Sequence, residues 1–141
     1  MSRRRVLVAT GAVLAEAALD AALDLAGDEG EVVLAPVVVV PHAQRLAATL
    51  DRAVAEACAV LDAGERAARS ARHFDTRLLR ARSFSEGVLG ILRDEPFDTV
   101  VLQIDRGARG PARAQLEAVV ERAGQPVVLV RPAALRLTAT A

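Results

Sequence analysis

Asp98–Pro132 reads DTVVLQIDRGARGPARAQLEAVVERAGQPVVLVRP, and the fold follows from how it is parsed. An apolar, β-rich run from Thr99 to Ile104 comes first. A short loop holds Gly107 and Gly110. A helix opens at Pro111, where a first-turn proline is tolerated, and shows Leu116, Val119, Val120 and Ala123 on one face. A second apolar strand runs from Pro126 to Val130. Strand, helix, strand in this order makes a right-handed parallel crossover. Ligands of open parallel sheets lie beyond the carboxyl ends of the strands, so the loop after Ile104 is the first place to look for one.

The remainder repeats the alternation. Val6–Ala9 is strand one, broken by Gly11. A helix from Ala12 to Ala26 follows, with Ala12, Ala15, Leu19, Leu23 and Ala26 on one side. Its other side carries Glu16, Asp20, Asp24 and Asp28, either a solvated face or a docking ridge for an arginine-rich surface. Gly27 and Gly30 end it. Glu31–Val40 is uniformly apolar after the glutamate, as suits a strand buried on both faces. Pro36 cannot donate to a ladder, which implies a bulge or a locally unpaired position. A long helix, Ala43 to Ala71, places Leu46, Leu50, Val54, Leu61 and Ala68 on its core side. Arg52–Glu56, Asp62–Arg66 and Glu65–Arg69 are i,i+4 pairs on the wet side, and Cys58 beside the apolar stripe reads as a packing residue.

Phe74–Arg82 is the third strand, with Arg77, Arg80 and Arg82 suited to guarding a sheet edge. Ser83-Phe-Ser-Glu86 matches a capping box. The helix behind it, Phe84 to Glu95, holds Gly87 and Gly90, which leave room for close packing on the sheet, and Pro96 ends it. The chain from 1 to 141 is thus read as a single α/β domain with a tail that frays at 133–141. Its core is a doubly wound, five-stranded parallel sheet with helices on both faces.

Composition narrows the functions. The 141 residues are 52% hydrophobic with a formal net charge of zero, which gives no general attraction to nucleic acid. Six arginines lie from Arg66 to Arg82, but only Phe74 is available among them for base stacking. Residues 1–65 carry a net −5 and residues 66–141 a net +5. Such asymmetry favours self-association or a protein partner. No uncharged apolar run approaches the ~18 residues of a membrane span. Ser2-Arg3-Arg4-Arg5 imitates a secretory leader, but acids recur at Glu16, Asp20 and Asp24. With one cysteine, no internal disulfide forms, and the expected compartment is the cytoplasm.

Most catalytic chemistry lacks its residues. There is no lysine anywhere, hence no Walker-type phosphate lysine. No G-x-G-x-x-G and no G-x-S-x-G is present. His42, His73 and Cys58 have no metal-ligand spacing. No catalytic residue and no metal ligand is assigned. What remains is Asp105-Arg-Gly-Ala-Arg-Gly110. Glycine-freed amides at a helix start can hold an anion, with Arg106, Arg109 and Arg113 adding charge. The alternative is an ordinary tight turn.

Taken together, Arg5-Val-Leu-Val-Ala9, Glu31-Val-Val-Leu-Ala-Pro-Val-Val38, Asp98-Thr-Val-Val-Leu102 and Gln125-Pro-Val-Val-Leu-Val-Arg-Pro132 resemble the strands of the universal stress protein family. The resemblance spans Arg5 to Arg131. It implies an adenine nucleotide alpha hydrolase-like sheet of order 3-2-1-4-5. It also implies a homodimer built through the last strand, here Val127, Val128, Leu129, Val130 and Arg131. One branch of the family binds ATP at the strand ends through G-x-x-G-x9-G-[ST]. Gly107-Ala-Arg-Gly110 supplies the first half. Val120-Glu121 stand at the second half, or Arg113-Ala114 if counted back from Pro126, and neither matches. The acid expected after strand one is replaced by Thr10-Gly11, whereas Val37 matches the apolar contact for adenine.

The resemblance therefore points to a homodimeric regulatory or binding module with weak or absent ATP binding. Its candidate nucleotide contacts are Thr10, Gly11, Val37, Gly107, Arg109, Gly110 and Arg113, and ATP or AMP is the cofactor it would take. Two alternatives stand beside it. One is an ATP- or AMP-binding stress protein with slow ATPase or autophosphorylation activity. The other is a soluble sensor that docks on a membrane transporter through a charged face.

Overall fold

The computed structural model describes residues 4–45, 50–68, 71, 73–104 and 111–132. In chain order these form β1 (Arg5–Thr10), α1 (Glu16–Ala26), β2 (Glu31–Val39), α2 (Asp51–Ala67), β3 (Phe74–Thr76), β4 (Leu79–Ala81), α3 (Phe84–Asp94), β5 (Thr99–Gln103), α4 (Arg113–Arg122) and β6 (Val127–Val130). All the pairings are parallel. The sheet order is β3-β2-β1-β5-β6, with β4 also on β2. Counting β3 and β4 as one interrupted strand, this is the expected order.

The strands are apolar on both sides because both sides are covered. Leu7, Val33, Ala35, Val100 and Leu102 pack with Val88 and Ile91 of α3 and with Leu116 and Val119 of α4. Val6, Val8, Val32, Leu34 and Val101 point the other way, onto Ala18, Leu19 and Ala22 of α1 and Val60 of α2. Two glycines allow close approach. A Cβ at Gly64 would run into the Leu34 side chain, and one at Gly87 would meet Val37 Cγ1 at 2.8 Å. Gly90 has open space around it, so the expectation of close packing holds for Gly87 and fails for Gly90.

The third strand departs from its expected form. Val32↔Phe74, Leu34↔Thr76, Val37↔Leu79 and Val39↔Ala81 share one register, so no residue is inserted and there is no bulge. Pairing lapses only at Arg77 and Leu78, opposite Ala35 and Pro36. The locally unpaired position implied by Pro36 is therefore found, and it is what divides the strand.

Several boundaries also differ. α1 begins at Glu16, not Ala12, and α4 at Arg113, two residues past Pro111. α2 begins at Asp51, an acid in the first turn that suits the helix dipole. Its buried positions are Ala57, Val60 and Gly64, which puts Cys58 a quarter-turn away and exposed, not packed. Neither Arg52–Glu56 nor Asp62–Arg66 closes into an ion pair. The partner in Glu65–Arg69, like the tail 133–141, lies outside the described residues. Ser83 caps α3 by accepting from the Glu86 amide at 3.2 Å, as the capping-box pattern predicts.

At the amino ends of the strands a chain of charges ties four elements together. Arg5 reaches Glu31 at 2.6 Å and Glu95 at 3.1 Å, and its guanidinium lies 4.5 Å from the Phe97 ring centre. Arg77 reaches Glu95 at 3.0 Å and Asp75 at 2.7 Å. Hydrogen bonds from Arg77 hold the carboxyls of Asp75 and Glu95 below their ordinary range. The same bonds push the Arg77 guanidinium up. For Arg5, burial works downward but is outweighed by its bonds to Glu31 and Glu95.

Candidate functional site

β2 runs on past the end of β1, and the difference in length leaves a cleft at the carboxyl ends of the sheet. It measures about 230 Å³. β1 ends at Thr10, and the chain leaves the sheet at Gly11 and Ala12, which form one wall. Val37, Val38 and Val39 form the floor, and Val39 is 49% exposed there. α2 leans over the opening with Ala53, Glu56 and Ala57, while Phe84 and Pro111 close the far side.

Two of the sequence-derived candidates, Gly11 and Val37, therefore meet in this cleft. Thr10 does not line it: the residue is 2% exposed and its hydroxyl donates to the Gly11 carbonyl at 3.1 Å. Arg113 does not line it either. It is exposed on α4 and lies 3.7 Å from Glu117. Gly107, Arg109 and Gly110 lie outside the described residues. His42 is exposed and does not reach the cleft. Val127, Val128 and Val130 are partly exposed along β6, Leu129 is 42% exposed, and Arg131 is exposed just beyond the strand.

Of the lining residues not among the sequence candidates, Glu56 and Phe84 have the largest side chains. Glu56 matches the i,i+4 pattern of a surface pair with Arg52, and only the lean of α2 over the strand ends turns it toward the cleft. The one available signal was its place between Ala53 and Ala57, which share its side of the helix. Among the described residues lining the cleft, Glu56 is the one ionisable group. The cleft can thus seat a small, largely apolar ligand, with Glu56 as its one described carboxylate acceptor.

Two other grooves are found among the described residues. One of about 310 Å³ at the opposite end of the sheet is lined by Arg93 and Arg122. Both stand in the last turns of their helices, where arginine complements the carbonyl ends. The other, about 290 Å³, runs between β4 and α3 and includes the already paired Arg77 and Glu95. No group of three or more potential metal ligands is found among the described residues. No helix among them is long and apolar enough to cross a membrane.

No family model matches the sequence, and none of the curated proteins does. Solved structures do match. A universal stress protein family member from Burkholderia pseudomallei is 21% identical, with a TM-score of 0.68, over 91% of this chain and 96% of that one. The universal stress protein UspA from Lactobacillus plantarum is 20% identical, with a TM-score of 0.69, over 93% and 99%. The universal stress protein from Archaeoglobus fulgidus in complex with dAMP is 18% identical, with a TM-score of 0.68, over 92% and 98%. The chain therefore has the fold of the universal stress proteins. At these identities the likeness establishes the fold and leaves the activity to the site.

Proposed function

We propose that this chain is a cytoplasmic, homodimeric regulatory or binding module of the universal stress type. Its strand-end cleft takes adenine compounds and grips ATP weakly or not at all. The observation that carries this reading is the lining of the cleft. The described side chains that line it are apolar apart from one carboxylate, and they bring no cation toward a polyphosphate. Arg113, the described cation among the candidate contacts, lies beside Glu117 and away from the cleft. A neighbour of the same fold holds dAMP, which supports an adenine compound as the ligand class.

Equilibrium dialysis with labelled ATP tests the reading. The expected result is no saturation in the micromolar range, and micromolar ATP binding overturns the weak-binding claim. Mass spectrometry of small molecules released on denaturing the purified protein is the companion measurement. An adenine compound without a triphosphate is the expected finding.

A further inference from the structure

Glu56 is exposed on α2, and Arg52 one turn before it makes no ion pair or hydrogen bond with it. Glu56 lines a cleft whose other described side chains, Val37, Val39, Ala53, Ala57 and Phe84 among them, carry no charge. An ionised carboxylate accepts hydrogen bonds and donates none. In an apolar cleft it favours a ligand that brings N–H or O–H donors, and it repels one that brings phosphate.

We propose that Glu56 is the specificity-determining residue of the cleft and that the preferred ligand is an uncharged adenine nucleoside. The base lies along the Val37 floor, and a ribose hydroxyl or the exocyclic amine donates to Glu56. Phosphorylated forms are disfavoured by the same carboxylate. This inference rests on the adenine-binding reading above and adds to it the selection against phosphate.

The test is calorimetric titration of wild type and Glu56→Gln with adenosine, AMP and ATP. Glutamine keeps the size and one acceptor oxygen, removes the charge, and is as good a helix former. Wild type is expected to bind adenosine more tightly than AMP, and AMP more tightly than ATP. In Glu56→Gln, AMP should tighten by about threefold to sixfold, the order of effect of one unit charge about 4–6 Å away in water, and ATP, with more charge, by more than AMP. Adenosine should weaken or stay unchanged. If wild type binds adenine compounds but Glu56→Gln leaves every affinity as it was, the role of Glu56 is overturned and the adenine cleft stands. If neither protein binds any of the three, the adenine reading falls and takes this inference with it.

Discussion

A methyl group added at Gly87 would meet Cγ1 of Val37 at 2.8 Å and Cγ2 at 3.3 Å, whereas one added at Gly90 would meet nothing within 4 Å. The two glycines stand in one helix, and alanine is better there than glycine by about 1 kcal/mol. At Gly90 that gain is unopposed, so Gly90→Ala should stabilise the protein by about 0.5–1 kcal/mol. At Gly87 the gain is set against overpacking of about 1–3 kcal/mol, because Val37 is branched and buried and has little room to retreat. Gly87→Ala should therefore be destabilised by up to about 2 kcal/mol. It should also loosen ligand binding, since Val37 is part of the cleft floor. Urea unfolding of both variants decides the matter, and equal stability would count against the packing shown here. The charged chain at the other end of the sheet gives a pH signature. Asp75 and Glu95 titrate below their ordinary range in the folded protein because Arg77 binds their charged forms. The unfolded chain thus takes up those protons first as pH falls. The stability they confer is full above their unfolded values and is lost as pH descends through about 4 and below. Arg77→Met should be less stable than wild type at neutral pH, with a gap that closes on acidification. Both carboxylates are partly exposed, so solvent screening keeps the gap small. A gap that persists unchanged at pH 3 would mean that Arg77 stabilises by packing alone.

The interruption between β3 and β4 is a matter of ladder geometry. The amide of Val32 donates to the His73 carbonyl at 3.0 Å, and that of Val40 donates to the Ala81 carbonyl at 2.8 Å. Even-numbered residues of β2 thus turn their N–H toward the third strand, and Pro36, halfway between, has none to give. The acceptor it leaves without that donor is the carbonyl of Arg77, where pairing lapses. Pro36→Ala should supply the missing donor and fuse β3 with β4. The bond gained, worth about 0.5–1.5 kcal/mol, is offset by the looser unfolded chain, worth about 0.4–1 kcal/mol. Net stability should therefore move little, and hydrogen exchange is the sharper measurement. The new amide at residue 36 is expected to be protected, and rapid exchange there would refute the account. The same element shows what was legible in the sequence. Pro36 announced an unpaired position by its chemistry. That the lapse would split the third strand depends on a register between segments about 40 residues apart, which periodicity does not carry. The alternation of strands and helices was legible in the apolar runs and their turn residues, whereas the order of the strands within the sheet came from the resemblance alone. The start of α2 was not, because the residues before Asp51 include many that suit a helix. Of the candidate site, Gly11 and Val37 could be found because the end of a strand is a local signal. Glu56 and Phe84 enter through the placement of α2 and α3 against the sheet, and no pattern within either helix encodes that placement.

The two edges of the sheet are built differently, and the contrast bears on how the whole molecule associates. One edge is β3 and β4, three residues each, divided at Arg77–Leu78 and bearing the exposed Arg80. Short, broken, charged edges resist pairing with another chain. The other edge is β6, Val-Val-Leu-Val without interruption, bonded only to β5 among the described residues. Its Leu129 is 42% exposed, and Val120 of the adjacent α4 is 44% exposed. One edge discourages pairing and the other leaves a strand open to it, so a second copy should add at β6. The ladder identifies which backbone groups are free for it. The Val100 amide donates to the Pro126 carbonyl and the Ile104 amide to that of Val130, so even-numbered positions of β6 face β5. Val127 and Leu129 then turn their N–H groups outward. Leu129→Pro removes one outward donor and an exposed apolar side chain while sparing the inner ladder, the placement in which an edge strand tolerates proline. Val128→Pro, one residue earlier, removes a donor that faces β5 and should destabilise the fold itself. Sedimentation should therefore show a dimer for wild type and a monomer for Leu129→Pro, with the far-ultraviolet circular dichroism of the latter retained. A dimer that survives in Leu129→Pro would place the self-association elsewhere on the molecule, and a monomeric wild type in the micromolar range would remove it altogether.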